Sequence, residues 1–382
     1  MNQPQASSTA VVAKGLENVI AAESAICFID GLQGKLLYRG YNIHDLAEQS
    51  TFEETAYLLW NGELPSREQL DEVAGQLRQE RQVSDDVLRI VRDLPQGTVP
   101  MVALRTAVSA LAAYDPEADE NTPEANYRKA IRLTAKVPTL VAAIHRVRQG
   151  QEIVSPDGEL PHAANFFYML NGRKPDEVEA RAMDLVFVLH AEHGFNASTF
   201  TARVIASTLS DTYSAVTGAI GALKGPLHGG AAPRVFLMLE EIADVSKAES
   251  YIKERLARKE KIMGFGHRVY KVEDPRATHL REWAKQLAER SGKSRLYEIA
   301  LEVENIMKQE KQLACNVDYY AAVVEASLGI PWDLFTCVFA ASRTAGWTAH
   351  ILEQQSDNRI IRPRAAYVGP EERRYVPIDQ RS

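Results

Sequence analysis

Five of the nine histidines sit in company that suggests chemistry. His228 lies in Gly225-Pro226-Leu227-His228-Gly229-Gly230-Ala231, where glycines leave the backbone bare. A helix starts near Ala231–Pro233, proline being tolerated in a first turn. The positive end of a helix disfavours imidazolium, so a histidine there stays neutral and can donate to a developing oxyanion. A histidine that only caps the turn is the plainer alternative. His267 lies in Gly264-Phe265-Gly266-His267-Arg268-Val269-Tyr270, a glycine-flexible loop too short for the G-x-G-x-x-G dinucleotide pattern. His190 and His193, in Val188-Leu189-His190-Ala191-Glu192-His193-Gly194, read as a core histidine and a helix C-terminal residue. Three apart, they share a helix face. H-E-x-x-H is absent and no third ligand lies nearby in sequence, so no metal site is expected. His279 follows Asp274-Pro275-Arg276 at the start of the next helix.

Charge points the same way. Between Lys253 and Arg276 stand eight basic and four acidic residues, a local +4 in a chain of net −7. Lys253 to Lys261 reads as a solvated helix face. Arg268, Lys271 and Arg276, beside a glycine loop and a histidine, read as holding an anionic ligand. Arg343 is alone on an apolar helix, where an unpaired buried charge is costly, so it requires an anionic partner. Arg362 and Arg364 flank Pro363 in an extended segment and could take carboxylates bidentately or make tail salt bridges. In Asn316-Val317-Asp318, the carboxylate entering an apolar stretch is a helix N-cap or a general base.

The elements that must hold these groups are nearly all helical. The 382 residues are 45% hydrophobic and 25% charged, a globular balance long enough for two or three domains and excluding disorder as the main state. Aromatic content of 8% leaves little material for an all-β fold, and the acidic total argues against nucleic-acid binding. Cys27, Cys315 and Cys337, with no C-x-x-C, exclude a disulfide scaffold and suit a reducing cytoplasm. No apolar run is long enough for a membrane span. Met1 to Ala13 reads as a polar tail rather than a signal peptide. The sole clear strand signal is a hairpin, Ser24–Asp30 and Lys35–Gly40 about a Gly31–Gly34 turn. Helices are expected after Ser66, with a capping box to Gln69, after Ser84, after Thr122-Pro123 and after Asp176, capped with Glu179. Asp115 to Glu124 reads as an acidic surface loop. Small residues from Tyr213 to Leu223 suit a buried helix at a subunit or domain contact. Charged helices are expected over Ala248–Lys259 and Ala277–Lys311, then an apolar helix over Leu334–Gln354 and an extended tail.

Taken together, these segments resemble citrate synthase in its short bacterial form. The most specific are the Gly225–Ala231 run, Gly264–Tyr270 with Asp274-Pro275-Arg276, and Asn316-Val317-Asp318, in that order. The resemblance implies an all-α, two-domain fold with one small N-terminal β-hairpin. Residues 1–224 plus 321–382 would form the larger domain and dimer interface, and 225–320 a smaller one that closes over the site. It implies citrate (Si)-synthase activity, condensing acetyl-CoA with oxaloacetate, with no metal or redox cofactor and no nucleic-acid or membrane partner. The family's catalytic triad falls on His228, His267 and Asp318. Its dicarboxylate clamp falls on His193, Arg276 and Arg343, with Arg362 reaching in from the other copy of a homodimer. Coenzyme A contacts fall on Lys271, Lys311 and the Gly264-Phe265-Gly266 backbone. Two departures concern coenzyme binding: Ala232-Pro233-Arg234 replaces a frequent Asn-Glu pair, and Gln309 stands where some relatives carry a second lysine. The rival reading on the same scaffold is 2-methylcitrate synthase, since one methylene is worth only ~1–3 kcal/mol of discrimination. Readings of another class are a non-catalytic helical binding module and a metal hydrolase built on His190 and His193.

Overall fold

A computed structural model describes residues 12–381. Of the tail expected over Met1–Ala13, all but Val12 and Ala13 lie outside the described residues. The hairpin forms as read. β1 (Cys27–Asp30) pairs antiparallel with β2 (Lys35–Tyr38), Phe28 opposite Leu37 and Ile29 opposite Leu36. A third strand, β3 (Tyr41–Asn42), adds to β2. Two residues are too few to leave a period in the sequence.

Sixteen α-helices follow among the described residues. The first group is α1 (Ile43–Gln49), α2 (Phe52–Asn61), α3 (Arg67–Glu80), α4 (Asp85–Asp93) and α5 (Pro100–Leu111). Next come α6 (Pro123–Arg148), α7 (His162–Asn171), α8 (Glu177–His190), α9 (Ala197–Ala206) and α10 (Thr212–Leu223). The last are α11 (Ala231–Ile242), α12 (Ala248–Ala257), α13 (Pro275–Arg290), α14 (Ser294–Lys311), α15 (Val317–Ser327) and α16 (Phe335–Ser356). No described helix is long and apolar enough to cross a membrane.

The helix starts follow their local chemistry. Ser66 with Gln69 and Asp176 with Glu179 form reciprocal capping boxes, and Thr122 accepts from the Ala125 amide ahead of Pro123. Ser84 stands at the N-cap of α4, but its hydroxyl makes no capping bond. Two expectations are corrected. Asp115 opens the acidic loop but is buried, held by Arg132 at 2.5 Å and by the Tyr213 hydroxyl. Both partners come from distant helices, so no local pattern could announce them. The single helix expected over Ala277–Lys311 is two, broken at Gly292 with φ +73°.

α16 is buried on nearly every face and lies against α6, α9, α2 and α8, as an all-round apolar helix must. α10 lies close on α9, where a Cβ at Gly218 would collide with Ile205 Cδ1. α15 rests on α13 and α11. α9 and α11 both touch α16, and α15 joins α11 to α13.

Candidate active site

His228 stands three residues before α11. Its loop is tight: the His228 amide donates to Gly225 O (2.9 Å), and the Thr336 hydroxyl donates to Gly229 O (2.8 Å). A side chain at Gly229 would strike the Leu223 carbonyl. The ring Nε2 faces the start of α9, 2.8 Å from Ser198 Oγ and 3.4 Å from the Ser198 amide. An amide aimed at Nε2 favours the tautomer with its proton on Nδ1. Burial first, then the Arg343 charge, lowers the ring pKa to about 4. His228 is therefore a neutral ring with one N–H to offer, the state an oxyanion donor needs.

His267 reaches the same state by another route. Its Nδ1 accepts the amides of Val269 (3.0 Å) and Tyr270 (3.1 Å). A neutral ring must then carry its proton on Nε2. Burial, then Arg276, lowers its pKa to about 4. Its ring lies 5.3 Å from that of His193, whose Nε2 is 3.1 Å from the Tyr270 hydroxyl.

Asp318 is not the helix cap. Asn316 caps α15, its side chain accepting the Asp318 amide at 3.1 Å. That leaves the Asp318 carboxyl in the first turn without a hydrogen-bond partner among the described residues. Burial raises its pKa to about 6 against the lowering pull of Arg276 and Arg343. The segment is tied to the His267 loop: Asn316 N donates to Gly264 O (2.9 Å), Asn316 Nδ2 to Gly266 O (3.1 Å), and Phe265 bridges Cys315. It is tied to α13 as well, since the Val317 amide donates to Asp274 Oδ2 (3.2 Å).

Two buried guanidiniums complete the site. Arg276 pairs with Asp274 through Nε (3.0 Å) and Nη2 (2.8 Å). Arg343 makes no ion pair among the described residues. It donates Nε to His190 O (2.6 Å) and lies over the Phe339 ring at 4.6 Å. The Glu192 charge acts on it without forming an ion pair, which leaves its fork open to an anionic ligand. His190 is the core histidine of the plain reading, its Nδ1 2.8 Å from Val186 O. Among the described residues no third ligating side chain joins it and His193. One possible ligand trio occurs among the described residues, Glu273, Glu304 and Cys315, and Arg281 already pairs with both carboxylates.

Lys271 and Lys311 are exposed and unpaired among the described residues, as is Arg362 on the extended tail. Four contributors escaped sequence reading: Ser198, Tyr270, Phe339 and Glu192. Glu192 is fully buried, and its Oε1 accepts His350 Nε2 (3.0 Å) and the Gly194 amide (2.5 Å), which fixes the turn bearing His193. Arg203 donates into His350 Nδ1 (3.1 Å), so that ring keeps its proton toward Glu192. The one signal available was a carboxylate beside His193.

A base near 6 flanked by histidines near 4 makes a pH prediction. With Asp318 as the base, it alone would have to lose a proton, and it gains one as pH falls through about 6. The profile of kcat/KM, which reports the free protein, should show a single acid limb near pH 6 and none added by the histidines until about pH 4. A limb near pH 4 alone would remove Asp318 as the base.

The fold is the all-α one of a known enzyme class. The family model described as "Citrate synthase, C-terminal domain" matches residues 15–364. "Citrate synthase 2" of Bacillus subtilis is 52% identical over 97% of this chain and 99% of its own length. The Haloferax volcanii citrate synthase is 50% identical over 96% and 98%. The citrate synthase of the thermophilic archaeon Thermoplasma acidophilum, solved in ternary complex with carboxymethyl coenzyme A and oxaloacetate, superposes with a TM-score of 0.93. It is 34% identical, over 98% of this chain and all of that one. The chain belongs to the citrate synthase family.

Proposed function

We propose that this protein condenses acetyl-CoA with oxaloacetate and water to give citrate and coenzyme A. One observation carries the reading. The Asp318 carboxyl, poised near pH 6 and partnerless among the described residues, feels the charges of Arg276 and Arg343, and the same two guanidiniums act on the neutral rings of His267 and His228. Asp318 takes a proton from the acetyl methyl group. If acid and base differ by on the order of ten pKa units, unassisted transfer costs roughly 14 kcal/mol. Raising the base from 3.8 to about 6 removes on the order of 3 kcal/mol of that mismatch. The His228 Nδ1–H stabilises the oxygen where enolate charge develops. The His267 Nε2–H polarises the ketone of oxaloacetate, whose two carboxylates Arg276, Arg343 and His193 hold. The enolate carbon bonds to the ketone carbon as the ketone oxygen takes the His267 Nε2 proton, and water then hydrolyses the resulting citryl-CoA thioester to citrate and coenzyme A.

Lys271, Lys311 and the Gly264-Phe265-Gly266 backbone hold the coenzyme, its phosphates meeting the two exposed lysines. Gly264, at φ +83°, has Val235 Cγ2 2.8 Å and Tyr319 Cβ 3.1 Å from where a Cβ would stand, so only glycine fits the loop. Arg362 completes the site of a second copy in a homodimer. Residues 225–320 close over 1–224 plus 321–382 after oxaloacetate binds, which spares free acetyl-CoA from hydrolysis. Three free thiols support a reducing, cytoplasmic setting. The test is thiol release from acetyl-CoA and from propionyl-CoA, each with oxaloacetate. A higher kcat/KM for acetyl-CoA is expected. The reverse order would make this a 2-methylcitrate enzyme, and no release from either would end the reading.

A further inference from the structure

The β1–β2 turn is seated on the backbone that carries His267. The Lys271 amide donates to Gly31 O at 2.7 Å. A Cβ at Gly31 would collide with the Val269 carbonyl oxygen and come within 2.8 Å of its carbon and 3.2 Å of Val269 Cγ1. One at Gly34 would lie 2.9 Å from Val272 Cγ2 and 3.2 Å from Glu273 O. The turn is itself rigid, because Asp30 Oδ1 accepts the amides of Leu32 (2.9 Å) and Gln33 (3.0 Å). Val269 and Tyr270 supply the two amides that fix the His267 tautomer, and the Tyr270 hydroxyl meets His193.

We infer that this turn is a positioning clasp: Gly31 seats Val269–Lys271 so that His267 Nε2–H and His193 face the oxaloacetate site together. The inference rests on the reaction proposed above.

Gly31 makes a clean probe because its φ is not in the left-handed region, unlike that of Gly34 at +64°. Alanine therefore fits the hairpin backbone without strain, and it fails only when the loop is seated. Displacing a reacting group by about 1 Å can cost ~100-fold. For Gly31→Ala we expect at least ~10-fold lower kcat and ~10-fold higher KM for oxaloacetate, with the thermal midpoint little changed. The Lys271 amide should also lose its protection from hydrogen exchange. Leu32→Ala, on the same turn but 76% exposed, should change none of these. Should Gly31→Ala fold poorly, Asp30→Ala loosens the turn without adding volume. It should likewise raise the oxaloacetate KM as Lys271 protection falls. Either variant keeping wild-type kcat and KM while that protection is lost would overturn the clasp. If wild type releases no thiol at all, the proposed reaction fails, while the exchange measurement still reports whether the turn holds the loop.

Discussion

Asp318→Asn is expected to lower kcat by ~10²–10⁴-fold, the span general acid–base catalysis contributes, with the oxaloacetate KM changed little. The prediction is sharp because the structure separates the carboxyl's chemistry from any structural duty. Asn316, not Asp318, caps α15. No described side chain bonds the Asp318 carboxyl, and burial already favours its neutral form. An isosteric amide therefore resembles the protonated side chain the pocket tolerates best. The thermal midpoint should stay or rise, and a loss confined to kcat then reports chemistry rather than folding. Asp318→Glu should recover part of the rate, since it returns a carboxylate about one bond out of place. Thiol-release kinetics beside thermal melts of both variants check this. A kcat for Asp318→Asn within tenfold of wild type would move the base elsewhere.

Which parts of this site the sequence disclosed follows from how local each signal is. His228, His267 and Asp318 sit in short runs whose glycines, prolines and helix starts lie within a few residues, so type and spacing singled them out, while the roles proposed for them come from the family resemblance. The capping boxes at Ser66 and Asp176 are equally local, and both formed. Ser198 facing His228, Tyr270 meeting His193, and Asp115 held by Arg132 and Tyr213 each join residues far apart in sequence. No periodicity encodes such pairs, because they arise only when helices cross. Asp318 is the instructive intermediate. Its own residue type allowed a cap or a base, and a single bond from its amide to Asn316, two residues away, removes the cap reading. The break at Gly292 was visible in sequence as a lone glycine. A helical glycine is tolerated often enough that its φ of +73° had to be seen.

Arg343→Gln should act on binding and on acidity at once. The guanidinium is buried without an ion pair, spends Nε on His190 O, and keeps the rest of its fork for a ligand. Losing charge-assisted bonds to a substrate carboxylate, each worth ~1.5–3 kcal/mol, should raise the oxaloacetate KM by about two orders of magnitude. The same charge also lowers the pKa of Asp318 and of His228. Removing it raises both. A base with a higher pKa is protonated over more of the pH range, so the acid limb of kcat/KM must move upward from about 6. The variant is then more impaired at pH 6.5 than at pH 8.5. His228, starting from about 4, stays neutral through that range and adds no limb of its own. Arg343→Lys divides the two effects. It restores the charge and hence the wild-type limb, but a point charge lacks the planar fork, so the KM stays high. Paired pH profiles of the two variants make the measurement. If the limb of Arg343→Gln coincides with that of wild type, Arg343 is not near enough to the base to share its site.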